Sequence, residues 1–324
     1  MSEYILEARN LTKIFSTGFF KKKQIVAVDD ISFGLPRDVS VITTLAGESG
    51  SGKSTIARLL LMLTSPTSGK IIYDNKDIRN MSRKERMFYR KTVQTIFQDP
   101  YQTYNPFYKV ERILEKPIKK FKITSSKKEQ EKLIFENLEK VGLKPDEILG
   151  KYPHQLSGGE RQRVMLSRVF LLNPKIVIAD EPVSMVDASL RASILNDIIR
   201  MKRELKISFL YITHDLSTAY NISDNIIILY RGSIVEMGAV TKVIKNPMHP
   251  YLQKLISSVP VPDPDRRWDK KIGIRTEEIT YTVEKKGCKY YDMCIMKENK
   301  CLRNTPKLVT VEKDHKVACN LYCE

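Results

Sequence analysis

The sequence predicts an α/β fold on a mostly parallel sheet, interrupted by a helical insertion and followed by a small cysteine-rich extension. Three observations carry this. Residues 47–54, Gly-Glu-Ser-Gly-Ser-Gly-Lys-Ser, fill the pattern G-x-x-x-x-G-K-[ST]. Apolar, strand-like runs alternate with helix-like stretches on both sides of residues 105–170, the pattern of a parallel sheet. All five cysteines crowd into residues 288–323, behind the linker-like stretch Val259-Pro260-Val261-Pro262-Asp263-Pro264.

In chain order, residues 4–8 and 24–33 read as strands. Residues 41–46 (VITTLA) are a buried strand, and residues 56–62 suit the helix behind it. Between them lies the glycine loop. Triphosphate oxygens are met by backbone N–H groups, so the chain must wrap closely around them. Gly47, Gly50 and Gly52 permit that path, and Glu48, Ser49, Ser51 and Thr55 lie along the same wrap. Lys53 can set an ammonium against the β- and γ-phosphates, and Ser54 can offer a hydroxyl to Mg²⁺. A glycine-rich surface turn would not require Lys-Ser at its end. A dinucleotide fingerprint fails because position 55 is Thr.

Residues 71–73 form a further strand and 83–91 a charged helix. Residues 105–170 turn Lys/Glu-rich and helical, with 127–141 amphipathic. A second α/β stretch follows: strand 175–180, helix 188–204, strand 207–213, helix 217–222, strands 225–230 and 233–237. Ile176-Val177-Ile178-Ala179-Asp180-Glu181 is an apolar run ending in two carboxylates. Downstream of a phosphate loop, Asp180 can sit near Mg²⁺ while Glu181 polarises a water. Leu156-Ser157-Gly158-Gly159-Glu160 reads in two compatible ways. Ser157 and Glu160 make a capping box, and the same helix N-terminus exposes N–H groups to an anion.

Composition narrows the class. The 324 residues are 42% hydrophobic and 29% charged, enough to bury a full core. The opening Met1-Ser2-Glu3-Tyr4 is not a basic-then-apolar leader, so secretion is not expected. No apolar run approaches the roughly 18 residues needed to cross a bilayer. The net charge of +17 is spread over short lysine groups rather than a dense basic arm. It ranks a solvated surface first, an anionic membrane face second and sequence-specific DNA binding last.

These motifs together resemble the ATP-binding-cassette (ABC) ATPases. Leu-Ser-Gly-Gly-Glu is similar to their signature sequence, and it lies between a phosphate loop and an Asp-Glu strand end, in the family's order. The resemblance covers residues 4–258 and implies one nucleotide-binding domain over 1–258. That domain would combine an N-terminal antiparallel β-subdomain, the parallel core and a helical subdomain over about 105–170. It implies further roles. Phe15 would stack on adenine, and Gln98, in Phe97-Gln98-Asp99-Pro100, would sense Mg²⁺ and couple to a membrane partner. Asp187 would lie in the loop after the Asp-Glu strand, and His214 would contact the γ-phosphate. Alone, Phe15 could be a core aromatic, Gln98 a turn residue and His214 structural. Met185-Val186 departs from the family's Ala-Leu, and Arg37-Asp38 replaces a common Gly-Glu turn; neither touches a phosphate ligand or Glu181.

A narrower resemblance is to the oligopeptide/dipeptide importer branch, carried by Asn246-Pro247-Met248-His249-Pro250-Tyr251, Ser258-Val259-Pro260, Asp99-Pro100-Tyr101 and Asn105-Pro106. Residues 259–324 then form an extension with Cys288, Cys294, Cys301, Cys319 and Cys323 spaced C-x5-C-x6-C-x17-C-x3-C. Thiols in a cytosolic nucleotide enzyme are metal ligands more often than disulfides, and four cysteinates suit Zn²⁺ or an iron–sulfur cluster. The resemblance favours a [4Fe–4S] cluster on the first four, with Cys323 spare. Buried free thiols are the bland alternative.

The resemblance implies an ATP-hydrolysing importer subunit, using ATP and Mg²⁺, at the cytoplasmic face of the membrane. Its expected partners are a second cassette, identical or related, two transmembrane permease subunits and an external solute-binding protein. Two cassettes would pair head to tail, ATP on the Lys53 face of one meeting Ser157, Gly158 and Gly159 of the other. The rivals are a soluble cassette ATPase acting on nucleic acid or ribosomes, and a redox module sensing through its cysteines. One cassette without sustained heptads disfavours the first.

Overall fold

The computed structural model describes residues 3–17, 23–98, 104–184, 186–258 and 287–323. The Gly/Lys segment from residue 18, Asp99-Pro100-Tyr101, Met185 and the Pro-rich stretch 259–264 fall wholly or mostly outside the described residues.

Strands β1 (Tyr4–Thr17) and β2 (Lys23–Pro36) pair antiparallel. β1 runs well past residue 8, where its sequence loses alternation. Asn10 adopts φ 48°, a conformation Asn tolerates, and the register shifts between Ala8 and Leu11 before pairing resumes. β3 (Ile42–Ala46) is buried throughout and leads into α1 (Lys53–Leu60). β4 (Ser68–Tyr73) and β5 (Lys76–Asp77) return to β1, giving a four-stranded sheet in the order β2-β1-β4-β5. α2 (Arg83–Thr92) starts at a Ser82–Glu85 capping box and feeds β6 (Val93–Ile96), a buried strand too short and mixed to be read from sequence.

The helical stretch contains α3 (Glu111–Lys120), α4 (Lys127–Lys140), α5 (Pro145–Ile148) and α6 (Gly158–Leu172). Then come β7 (Ile176–Asp180), α7 (Ala188–Leu205), β8 (Ser208–Thr213), α8 (Leu216–Ile222), β9 (Asn225–Tyr230), β10 (Ser233–Ala239), α9 (Val240–Lys245) and α10 (Pro250–Ser257). The extension adds α11 (Lys300–Arg303), β11 (Val309–Glu312) and β12 (His315–Val317).

The main sheet runs β11-β12-β10-β9-β3-β8-β7-β6, parallel from β9 to β6. One core lies between its face, α1 and the small antiparallel sheet, through Leu11, Ile31, Ile56 and Leu210. A second binds the helical stretch to the opposite face, through Leu114, Leu138, Val164 and Phe209. A third and smaller core joins Tyr230, Tyr251 and Leu252 to Tyr290 of the extension. The sheet therefore does not stop at residue 258. β12 pairs antiparallel with β10, Glu236 opposite Val317, and carries the sheet into the extension. Among the described residues, no helix is long and apolar enough to cross a membrane.

Candidate active site

The loop after β3 needs glycine at two positions. A Cβ on Gly47 (φ 150°) would lie 2.3 Å from the Leu229 carbonyl oxygen, and one on Gly52 (φ 105°) 2.3 Å from that of Ala27. No side chain can be added at either without moving a strand. Gly52 is the N-cap of α1, which among the described residues has neither a side-chain cap nor an acid in its first turn. Its N–H groups thus face outward for an anion. Lys53 is buried, and its ammonium donates to the carbonyls of Gly47 at 2.7 Å and Glu48 at 2.8 Å. Burial holds its pKa below the ordinary lysine value, opposed by Glu181, Asp180 and Glu48.

The carboxylates arrive from the neighbouring strand ends. Asp180 closes β7 beside α1, within the influence of the Ser54 side chain. Burial raises its pKa, and the Glu181 charge adds to this, while Ser54, Lys53 and Arg58 pull the other way. Glu181 leaves the strand at φ 45°, its N–H given to the Ile212 carbonyl at 2.9 Å. A glutamate in the left-handed region is strained, and strain of this kind gathers at functional sites. The turn sends its carboxylate between two neighbours. Gln98 Nε2 donates to Oε2 at 2.9 Å, and His214 Nδ1 lies 3.0 Å from Oε1. Strand order explains the convergence. β6, β7 and β8 are adjacent and parallel, so the residues just past their C-terminal ends, Gln98, Glu181 and His214, share one crevice.

Phe15 is half-exposed on β1 with the Lys13 ammonium 5.0 Å from its ring centroid. Its strand partner is Ile25, two residues before the Ala27 carbonyl that walls Gly52, which sets the ring on the hairpin beside the loop. Glu48, Ser49 and Gly50 are exposed at the loop's tip, Ser51 is buried beneath it, and Thr55 is half-buried on the first turn of α1.

Ser157, Gly158, Gly159 and Asp187 are not brought to this crevice by hydrogen bonds or ion pairs among the described residues. Ser157 caps α6 in the expected box, accepting from the Glu160 N–H at 3.2 Å while Glu160 accepts from the Ser157 N–H at 2.7 Å. Asp187 caps α7, accepting from the Leu190 N–H at 2.9 Å, and this lowers its pKa. The two caps are neighbours, because a Cβ on Gly159 would strike Leu190 at 2.0 Å.

Sequence reading gave no role to two side chains that organise the crevice. Gln162 Nε2 donates to the Pro182 carbonyl at 2.9 Å, tying the Ser157 helix to the turn after Glu181. The Tyr251 hydroxyl accepts the Glu48 N–H at 3.1 Å. Tyr251 belongs to the noted Asn-Pro-Met-His-Pro-Tyr string, so a signal for it was present.

In the extension, Cys288, Cys294, Cys301 and Cys319 line one cavity beside Tyr290 and His249. Burial raises the thiol pKa of Cys288 and Cys294, and pushes Cys319 up to about 11. Cys323 stands apart, its Sγ 3.5 Å from the Lys307 carbonyl. Among the described residues, no group of three or more His, Cys, Asp or Glu is arranged to hold a metal ion.

Residues 28–184 match the family model described as ABC transporter, and residues 235–301 match that of the oligopeptide/dipeptide transporter C-terminal region. The chain is 36% identical over 332 residues to the oligopeptide transport ATP-binding protein AppF of Bacillus subtilis, covering 99% of this chain and 98% of the relative. It is 36% identical over 311 residues to the dipeptide transport ATP-binding protein DppF of Escherichia coli, covering 95% and 92%. Among solved structures, it is similar to the dimeric post-hydrolysis state of the ATP-binding cassette MJ0796 bound to ADP and Pi. That match has a TM-score of 0.64 and 26% identity, over 72% of this chain and 98% of the other.

Proposed function

Since the chain belongs to the ABC transporter family, and is an ATPase cassette of it, we propose that it energises an importer of oligopeptides, dipeptides or a similar solute. The observation that carries the catalytic part is the Glu181 carboxylate, held at one oxygen by Gln98 and at the other by His214, next to Asp180 and Ser54. In this reading Lys53 and the loop N–H groups bind the β- and γ-phosphates. Phe15 stacks on the adenine, and Glu181 polarises the attacking water while His214 contacts the γ-phosphate. The Ser54 hydroxyl, the Asp180 carboxylate and the Gln98 amide oxygen are hard donors of the kind Mg²⁺ takes. Bound there, Mg²⁺ would neutralise phosphate charge. Ser157, Gly158, Gly159 and Asp187 would serve the nucleotide of a second cassette, identical or related, in keeping with their making no hydrogen bond to the Lys53 loop among the described residues.

The remaining partners in this proposal are two transmembrane permease subunits and an external binding protein that chooses the solute. The chain would work at the cytoplasmic face of the membrane. The cysteine cavity is proposed as a [4Fe–4S] site held by Cys288, Cys294, Cys301 and Cys319. Four thiols line this cavity, the number that a [4Fe–4S] cluster or one Zn²⁺ takes, and the resemblance to the importer branch favours the cluster. Such a group would add its free energy of ligation to the stability of the extension.

Coexpression with the membrane subunits, followed by uptake of labelled peptides into ATP-loaded vesicles, tests the whole. ATP-dependent uptake is the expected result. Purification with RNA and without membrane subunits would overturn the transport reading.

A further inference from the structure

We propose that Tyr251, Lys289 and Tyr290 are positioning residues for the phosphate loop, so that the C-terminal extension sets the loop's affinity for ATP. This rests on the ATPase reading above and adds to it a dependence on residues far outside the motifs.

Two routes lead from the extension to the loop. The first runs through rings. The peptide unit between Gly47 and Glu48 is held at both ends: its carbonyl accepts the Lys53 ammonium at 2.7 Å, and its N–H donates to the Tyr251 hydroxyl at 3.1 Å. Tyr251 thereby fixes the plane of the peptide that orients Lys53. A phenol can do this only if its ring is immobile. Its ring centroid lies 4.6 Å from that of Tyr230 and 5.6 Å from that of Tyr290, and those two are 5.2 Å apart. All three rings are buried, and Tyr290 is the wall supplied by the extension.

The second route runs through charge. The Lys289 ammonium meets the Arg231 carbonyl at 2.8 Å, the Ser233 hydroxyl at 2.7 Å and Asp29 Oδ2 at 2.8 Å. It therefore clamps the turn between β9 and β10 to β2. The residue at the centre of that turn, Gly232, donates its N–H to the Ser51 carbonyl in the loop at 2.9 Å. Its own carbonyl accepts the Asp29 N–H at 2.9 Å. The two routes thus grip the loop at residues 48 and 51, on either side of Ser49 and Gly50. The side chains of Tyr251, Lys289 and Tyr290 themselves meet no phosphate in this reading. Both routes act by fixing beforehand the backbone that ATP would otherwise have to order, and ordering a site on binding lowers affinity.

The test uses the full-length chain, with Tyr251→Phe removing only the hydroxyl and Lys289→Met removing only the charged cage. Binding of a non-hydrolysable ATP analogue, ATPase kinetics, metal content and amide hydrogen exchange over residues 47–54 are measured together. Losing one such hydrogen bond is expected to weaken nucleotide binding about 3–10-fold. KM for ATP should rise with kcat little changed, and exchange at residues 47–54 should quicken. Unchanged affinity and exchange in both variants, beside normal wild-type binding, overturn the inference alone, even if the melting temperature falls. Should Lys289→Met lose its metal or its fold, Asp29→Asn, which breaks the Lys289 grip from the cassette side and leaves the extension intact, decides in its place. A wild-type chain that binds no nucleotide overturns the ATPase reading, and this inference with it.

Discussion

His315 Nε2 lies 2.7 Å from Glu236 Oε1, and both side chains are fully buried where the extension's strand joins the cassette sheet. Glu236 also accepts the backbone N–H groups of Met248 at 2.9 Å and His249 at 2.7 Å. Burial pushes its carboxyl pKa up, and these three partners oppose the shift. One carboxylate therefore fastens β12 to β10 and fixes the approach to α10, the helix that carries Tyr251. Replacing His315 by Leu leaves a buried acid short of one partner. Breaking a buried pair from one side costs about 3–5 kcal/mol, and the two remaining N–H donors place the expected loss at the lower end of that range. Chemical denaturation of His315→Leu measures it. A loss near zero would mean that the pair does not hold the extension.

Glu181→Gln is expected to bind ATP and hydrolyse it about 10²–10⁴-fold more slowly. Gln keeps the size that Gln98 and His214 grip, but cannot draw a proton from water. ATP binding and turnover are compared in the assembled transporter. Near-normal turnover would remove Glu181 from its catalytic role.

Ser157→Arg is expected to abolish turnover while the isolated chain keeps its ATP affinity, since Ser157 meets no group of its own phosphate loop among the described hydrogen bonds. The substitution also removes a helix cap, worth about 1 kcal/mol. Ser157→Thr, which retains the cap, separates that structural loss from the loss of the second nucleotide contact. An isolated Ser157→Arg chain that loses ATP as completely as Lys53→Ala would refute the shared-site reading.

The motifs were legible because their chemistry is local. Gly47 and Gly52 sit where any side chain would strike backbone, and Asp180 and Glu181 follow directly on an apolar strand, so composition and spacing expose them. What brings Gln98 and His214 onto one carboxylate is strand order, with β6, β7 and β8 side by side. No local pattern encodes that order; the family resemblance supplied the two residues. β11 and β12 went unread for a similar reason. Each is four residues or fewer; β12 exists by pairing with an edge made about 80 residues earlier, as His315 pairs with Gly238, and β11 by pairing with β12. The grip of Lys289 on Asp29 is the extreme case: two ordinary surface-type charges whose meeting depends on the whole fold.

The cysteine cavity gives the last prediction. Free thiols scatter through cores as small hydrophobes, yet here every cysteine of the chain lies in residues 288–323. Four of them line one cavity, and the fifth, Cys323, does not. Burial raises the pKa of Cys288, Cys294 and Cys319, so without a metal these sulfurs are neutral thiols. Metal binding must strip their protons, and the free energy of ligation then adds to the stability of the extension. Anaerobically purified protein is expected to contain iron and acid-labile sulfide and to absorb visible light. Cys301→Ser should lose the absorbance and melt at lower temperature, whereas Cys323→Ser should keep both. Zinc in place of iron would keep the ligands and change the group they hold. A metal-free chain whose extension is as resistant to proteolysis as the rest of the protein would refute the site.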